Sequence, residues 1–310
     1  MHATLITCSF RGDLDVCRLL CRSIDLYACA DFEHRLYAPA RDLPLFADLA
    51  SALRRIATQE SLLPRWLWTL PLPRPEWRER LGLPRRNVYL SLLHGPVRGW
   101  IAQQLMKIAA SLAADDEIIA HIDSDSALVA PLTLAHLRRD GRTRLYAGEV
   151  AERHAGHALR CSEAARLLGL PAGDYYRAEY IAPLVVWRRP VVRAMAARIE
   201  EATGGDWARA LAATRHFSEY VLYGVFARHG LGVEAAGLRA EAGNLSLARW
   251  VASLDDPAGI DEFVAQARAD QLVCCLKSTL AVSLPTRAAV YRCAGEAIAA
   301  LQAPARDVAA

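Results

Sequence analysis

Glu117-Ile-Ile-Ala-His-Ile-Asp-Ser-Asp-Ser-Ala-Leu-Val-Ala-Pro131 runs from an apolar stretch straight into two carboxylates, Asp123 and Asp125, separated by one residue. The apolar run predicts a buried strand. Alternation along a strand sends residues i and i+2 to the same side, so both carboxylates are expected to face one divalent cation where the strand leaves its sheet. His121 would share the side of Asp123; it reads as a buried, hydrogen-bonded core histidine in preference to a site residue. A bare Asp-x-Asp also fits a solvated turn after a strand, so the surrounding order of elements decides.

Upstream, Gly99-Trp-Ile-Ala-Gln-Gln-Leu-Met-Lys-Ile-Ala-Ala-Ser-Leu112 places Ile101, Leu105, Ile108 and Leu112 at helical spacing, so a helix feeds the strand. At the N-terminus, Leu5-Ile-Thr-Cys-Ser-Phe-Arg-Gly-Asp-Leu-Asp-Val-Cys-Arg-Leu-Leu20 reads as strand, polar turn and helix. Helix, strand, Asp-x-Asp and the short return Ala127-Leu-Val-Ala-Pro-Leu132 together resemble the metal site of nucleotide-sugar glycosyltransferases of the GT-A fold. His216-Phe-Ser-Glu-Tyr-Val-Leu-Tyr-Gly224 is similar to the acceptor-side segment of a bacterial family of largely uncharacterised glycosyltransferases of that type. The resemblance covers most of residues 1 to 285, and it is carried by the order of the motifs.

The resemblance implies an α/β chain with a central, mostly parallel mixed sheet and helices on both faces. One GT-A-like domain is expected over residues 1–302, with a nucleotide- and metal-binding half (1–130), an acceptor half (131–302) and a flexible tail (303–310). It implies a nucleotide-diphosphate sugar as donor, a small-molecule or glycan acceptor, and Mn²⁺ or Mg²⁺ held by Asp123 and Asp125. The donor is expected near Thr7, Ser9 and Arg11, with Asp13 a further candidate. Glu219 is the candidate base for the acceptor hydroxyl, Ser218 being placed to cap its helix; in a retaining reaction Glu219 would instead orient the acceptor. Such enzymes often add a late histidine to the metal shell, yet Asn244-Leu-Ser-Leu-Ala-Arg-Trp250 contains none. A water, Ser246 or His216 is left to complete it.

Of the 37 basic side chains only two are lysines, Lys107 and Lys277. Coding drift toward arginine accounts for their rarity, but their placement suggests phosphate binding, because a compact ammonium enters a pocket that a guanidinium fork does not. Lys107 lies on the helix before the Asp-x-Asp strand. Lys277 ends the strand-like run Leu272-Val-Cys-Cys-Leu-Lys277.

Composition bounds the rest. With 310 residues, 53% of them hydrophobic, the chain can bury a sizeable core. A formal charge of +3 and scattered arginine pairs argue against nucleic acid. The eight cysteines, without an export signal, read as reduced core residues of a cytoplasmic protein, and no apolar run is long enough to span a bilayer. Four of the seventeen residues of 61–77 are prolines, which predicts an irregular excursion. Its Trp66, Trp68 and Trp77 would suit a sugar acceptor or peripheral membrane contact, although a satellite apolar cluster packed onto the main core is the commoner fate. His154 and His157 fall in a polar stretch that reads as solvated. Two other classes are weighed: a metal-dependent phosphatase, disfavoured because its Asp-x-Asp would follow the first strand, and a catalytically degenerate GT-A-like binding or assembly protein.

Overall fold

The computed structural model describes residues 2–69, 80, 88–91, 93, 95–150, 154–250 and 257–303. Trp77 with the second half of the proline-rich stretch, and the tail past residue 303, lie outside the described residues. In chain order the elements that build the site are β1 (Ala3–Cys8), α1 (Leu14–Tyr27), β2 (Phe32–Ala38), β3 (Arg54–Thr58), α2 (Gly99–Ala113), β4 (Ile118–Ile122), β5 (Ser126–Leu128), β6 (Arg142–Tyr146), α3 (Ala155–Leu167), β7 (Leu184–Arg188), α4 (Arg189–Thr203), α5 (Glu219–Val225), β8 (Leu238–Glu241), β9 (Ser246–Arg249), β10 (Val273–Leu276) and α6 (Leu284–Gln302).

The central sheet has the order β7-β4-β1-β2-β3. Strands β1 to β4 are mutually parallel where they pair, and β7 runs antiparallel beside β4. The chain steps outward from β1 to β3 and then returns to lay β4 on the other side of β1. Such a reversal opens a crevice at the carboxyl ends of the two adjacent strands, the usual ligand position in open α/β sheets. Ile6 pairs with His121, so Ser9 and Asp123 leave the sheet nearly side by side.

Side-chain alternation gives each face its own core. Ile6, Cys8, Ile119, Val185 and Trp187 join residues of α2, α3, α4 and α5 on one face. Ala3, Leu5, Ile118, Ala120 and Ile122 join α1, α6, β5 and β10 on the other. The expected mostly parallel mixed sheet with helices on both faces is therefore present. A second small sheet, β9-β10-β5, places β10 antiparallel to the chain that follows the Asp pair, with Cys275 opposite Ser126. No described helix is long and apolar enough to cross a membrane.

Charged and polar residues enter the core in two places. After a short helix that stops at Phe46, Arg54 begins β3. The buried Arg54 guanidinium donates to Cys21 O at 2.7 Å, to Leu49 O at 2.6 Å and to Asp25, which makes a basic residue act as part of the core. The segment around His157 is helix α3 rather than a solvated stretch; His157 is buried with Nε2 3.1 Å from Ala178 O. Trp66 packs onto the main core, in keeping with the packed fate expected for these tryptophans, while Trp68 remains partly exposed.

Candidate active site

Helix α2 carries a second stripe besides its apolar one. Gln104, Lys107 and Ser111 recur at helical spacing and are all buried. Buried polar side chains need partners, and each of these finds one on a neighbouring element. Gln104 Oε1 accepts the Glu219 N–H at 2.9 Å. Ser111 donates to Lys107 O at 2.8 Å and lies 2.9 Å from His121 Nε2. Because the serine proton is used on Lys107 O, His121 carries its own proton on Nε2 and donates it. Burial first, then the charge of Lys107, hold His121 well below the usual histidine range. It is a core residue, as expected, with its ring 4.4 Å from that of Trp187.

Lys107 is the centre of the stripe. Its Nζ is 3.1 Å from Asp123 Oδ1 and 3.1 Å from Glu219 Oε1, and it donates to the Tyr220 hydroxyl at 2.7 Å. Burial alone would lower the Lys107 pKa, but Asp123, Tyr220 and Glu219 more than reverse this and raise it well above the ordinary lysine value. The expectation that Lys107 takes a phosphate gives way to internal pairing: the ammonium is buried among carboxylates. Ser218 occupies the N-cap position of α5 without making a side-chain cap. Its hydroxyl approaches Glu219 Oε2 at 3.5 Å instead, and Gln104 supplies the missing acceptor for the first turn.

The Asp pair departs from simple strand alternation. β4 ends at Ile122, and Asp123 to Ser126 form a turn closed by Ser126 N–H donating to Asp123 O at 3.1 Å. Asp123 looks toward α2, whereas Asp125 receives the Ser278 N–H at 2.6 Å and the Cys275 thiol at 3.6 Å. The carboxylates remain close enough to interact: burial first, then the charge of Asp123, push Asp125 up to about 6. Asp13 also joins this group. Its Oδ2 accepts from Ser124 Oγ at 3.4 Å, tying the opening turn to the Asp-x-Asp turn, and burial raises its pKa.

The remaining candidates separate clearly. Thr7 is fully buried and belongs to a relay through the sheet: Arg54 Nε donates to His34 Nδ1 at 2.7 Å, His34 Nε2 to Thr7 Oγ1 at 3.0 Å, and Thr7 Oγ1 to Ile122 O at 3.0 Å. It supports the end of β4 from within and offers no surface to a ligand. Ser9 is buried at the end of β1, where Gln59 donates to its carbonyl at 2.8 Å. Arg11 is accessible, and buried Asp42 steadies it by accepting its N–H at 3.2 Å with Nε at 3.7 Å. Lys277 is exposed immediately before Ser278, on a loop that Arg287 clamps by donating to the carbonyls of Leu276, Lys277 and Leu280.

Ser246 cannot complete a shell around the Asp pair. It pairs with Val273, whereas Leu276 N–H reaches Asp125 O, so Ser246 lies three strand residues away, about 10 Å. His216 is exposed ahead of α5. Among the described residues no group of three or more His, Cys, Asp or Glu side chains is arranged to hold a metal. Two shielded carboxylates nevertheless suit a hard cation of the Mg²⁺ type, which takes one or two carboxylates and completes its shell with substrate phosphates and water.

No curated protein matches the chain. Among solved structures it is similar to the galactosyltransferase LgtC in complex with donor and acceptor sugar analogs, at 12% identity and a TM-score of 0.48 over 98% of each chain. An active-site mutant of LgtC aligns at 12% identity and a TM-score of 0.45, covering 93% of this chain and 94% of that one. The bifunctional glycosyltransferase WbbM in its apo form aligns at 12% identity and a TM-score of 0.44, covering 88% of this chain and 45% of that one. A family model matches residues 3–258, and the chain belongs to that family, the family of unknown function DUF6492.

Proposed function

We propose that this protein transfers a sugar from a nucleotide-diphosphate donor to a hydroxyl-bearing acceptor at the crevice between β1 and β4. The observation that carries the reading is the position of Asp123 and Asp125 at the carboxyl end of β4, where the strand order reverses, with Glu219 sharing Lys107 with the first of them. Asp123 and Asp125 would hold Mn²⁺ or Mg²⁺, which when bound offsets the charge of the departing diphosphate. Arg11, steadied by Asp42, and Lys277, on its clamped loop, supply positive charge toward the phosphates. Ser9 and Asp13 border the donor side, and Thr7 holds the end of β4 from beneath.

Glu219 serves the acceptor. Its Oε1 is committed to Lys107, while among the described residues Oε2 has the long approach of Ser218, so Oε2 is the oxygen left to take the acceptor proton. Such contacts commonly tighten only when substrate is bound. A catalytically degenerate binding protein is the second reading, favoured by the near-complete burial of Glu219.

A thermal-shift panel of nucleoside diphosphates and sugar nucleotides, each with and without Mn²⁺, tests the proposal. Stabilisation by at least one sugar nucleotide that requires Mn²⁺ is expected. Absence of stabilisation by every member of the panel would refute it. Stabilisation without sugar transfer to any hydroxyl, followed by product mass, would favour the degenerate reading.

A further inference from the structure

Lys107 joins the two sides of the site. Asp123 opens the turn that follows β4 on the donor side, Glu219 opens the helix on the acceptor side, and one carboxylate oxygen of each is 3.1 Å from the same Nζ. Tyr220 accepts a hydrogen bond from the same ammonium at 2.7 Å, with its ring centroid 4.4 Å from Nζ. An ammonium has three donors and no acceptor; Asp123 and Tyr220 take two of them, and Glu219 adds an ion pair. Lys107 is only 7% exposed.

We propose that Lys107 is a positioning residue that couples occupancy of Asp123 by a divalent cation to the hold on Glu219. This rests on the reading of Asp123 and Asp125 as cation ligands. A cation on Asp123 competes with the ammonium for one carboxylate and repels it at short range. Confined by burial, Lys107 is left with Glu219 and Tyr220, and its hold on the first turn of α5 tightens. Gln104 already fixes that turn through the Glu219 N–H, so the change is delivered to the carboxylate and not dissipated in the helix. Coupling of this kind is reciprocal: Glu219 must in turn favour the cation by giving the displaced ammonium a partner.

The test is a double-mutant cycle on Mn²⁺ affinity alone, read by water-proton relaxation, which reaches weak binding and needs neither donor nor acceptor. Wild type, Glu219→Gln, Lys107→Met and the double variant are titrated with Mn²⁺. Glu219→Gln is expected to weaken Mn²⁺ binding about tenfold when Lys107 is present and far less in the Lys107→Met background. Equal weakening in both backgrounds overturns the coupling and leaves the cation site standing. Failure of wild type to bind Mn²⁺ overturns the coupling and the cation reading together. Lys107→Met strands two carboxylates, which can cost folding, so Tyr220→Phe provides a second route. It keeps every charge but denies the displaced ammonium one partner, and should weaken Mn²⁺ binding in the same direction by less than Glu219→Gln. Wild-type affinity in both Tyr220→Phe and Glu219→Gln contradicts the proposal without recourse to the lysine variant.

Discussion

The ammonium of Lys107 lies 3.1 Å from the carboxylate of Glu219, and both side chains are buried. Removing one member of such a pair leaves the other uncompensated in a poorly solvated place. The site is therefore best probed by changes that keep shape and remove one chemical property at a time.

Glu219→Gln keeps the length of the side chain and an acceptor for Lys107 but loses the basic oxygen. With Mn²⁺ saturating, turnover of the sugar nucleotide identified by the thermal panel should fall on the order of a hundredfold, with donor affinity little changed. Steady-state rates and equilibrium binding, measured side by side, check this. Normal turnover would return Glu219 to a purely structural role.

Lys277 is exposed and follows a strand that its side chain does not help to pack. Lys277→Ala should leave the melting temperature unchanged while weakening nucleoside diphosphate binding about tenfold, or roughly 1.4 kcal/mol. An unchanged affinity would leave Arg11 as the cation to test next.

His34 bears on stability and not on the site chemistry. Burial first, then the adjacent Arg54 charge, hold its pKa well below the usual histidine value. The unfolded chain takes up a proton below about pH 6.5, and the folded one does not. The contribution is thus fully present above that pH and is lost as pH falls below it. Melting temperatures between pH 7.5 and 5.5 should fall less steeply in His34→Gln than in wild type, part of the slope surviving through His121. Parallel slopes would remove His34 from the account.

Gly224 lies in α5, where an added Cβ would run into the ring of Tyr180. Tyr180 is 1% exposed, so its ring yields only by displacing its buried neighbours. Gly224→Ala should therefore destabilise the protein by about 1–3 kcal/mol despite the better helix propensity of alanine. Denaturant unfolding measures it, and a stabilised variant would show that the helix–ring contact is looser than described.

Much of the architecture was legible because periodicity reports burial directly. The apolar run 118–122, the opening strand and α2 all lie where their patterns place them. β3 and α3 were hidden by charged or polar residues whose burial depends on distant partners, Asp25 for Arg54 and Ala178 for His157. At the site, the Asp pair was visible in sequence, but its geometry was not: a turn, rather than strand alternation, sets it, and Ser278 from a late loop holds Asp125. The internal role of Lys107 did carry a signal. Gln104, Lys107 and Ser111 form a polar stripe at helical spacing within an otherwise apolar helix, and polar groups so placed require partners. Asp42 and Arg287, which steady Arg11 and the Lys277 loop, gave no such sign, since each acts through backbone groups brought near only by the fold.

The most direct test of the central claim is calorimetric titration of Asp125→Asn with the nucleoside diphosphate that most stabilises the wild type, in Mn²⁺ and again in chelator. Asparagine can still accept the Ser278 N–H but loses the charge, so the fold should persist. The account predicts that wild type binds tightly in Mn²⁺ and weakly in chelator, and that the variant binds weakly in both. Wild-type affinity and metal dependence in Asp125→Asn would contradict it.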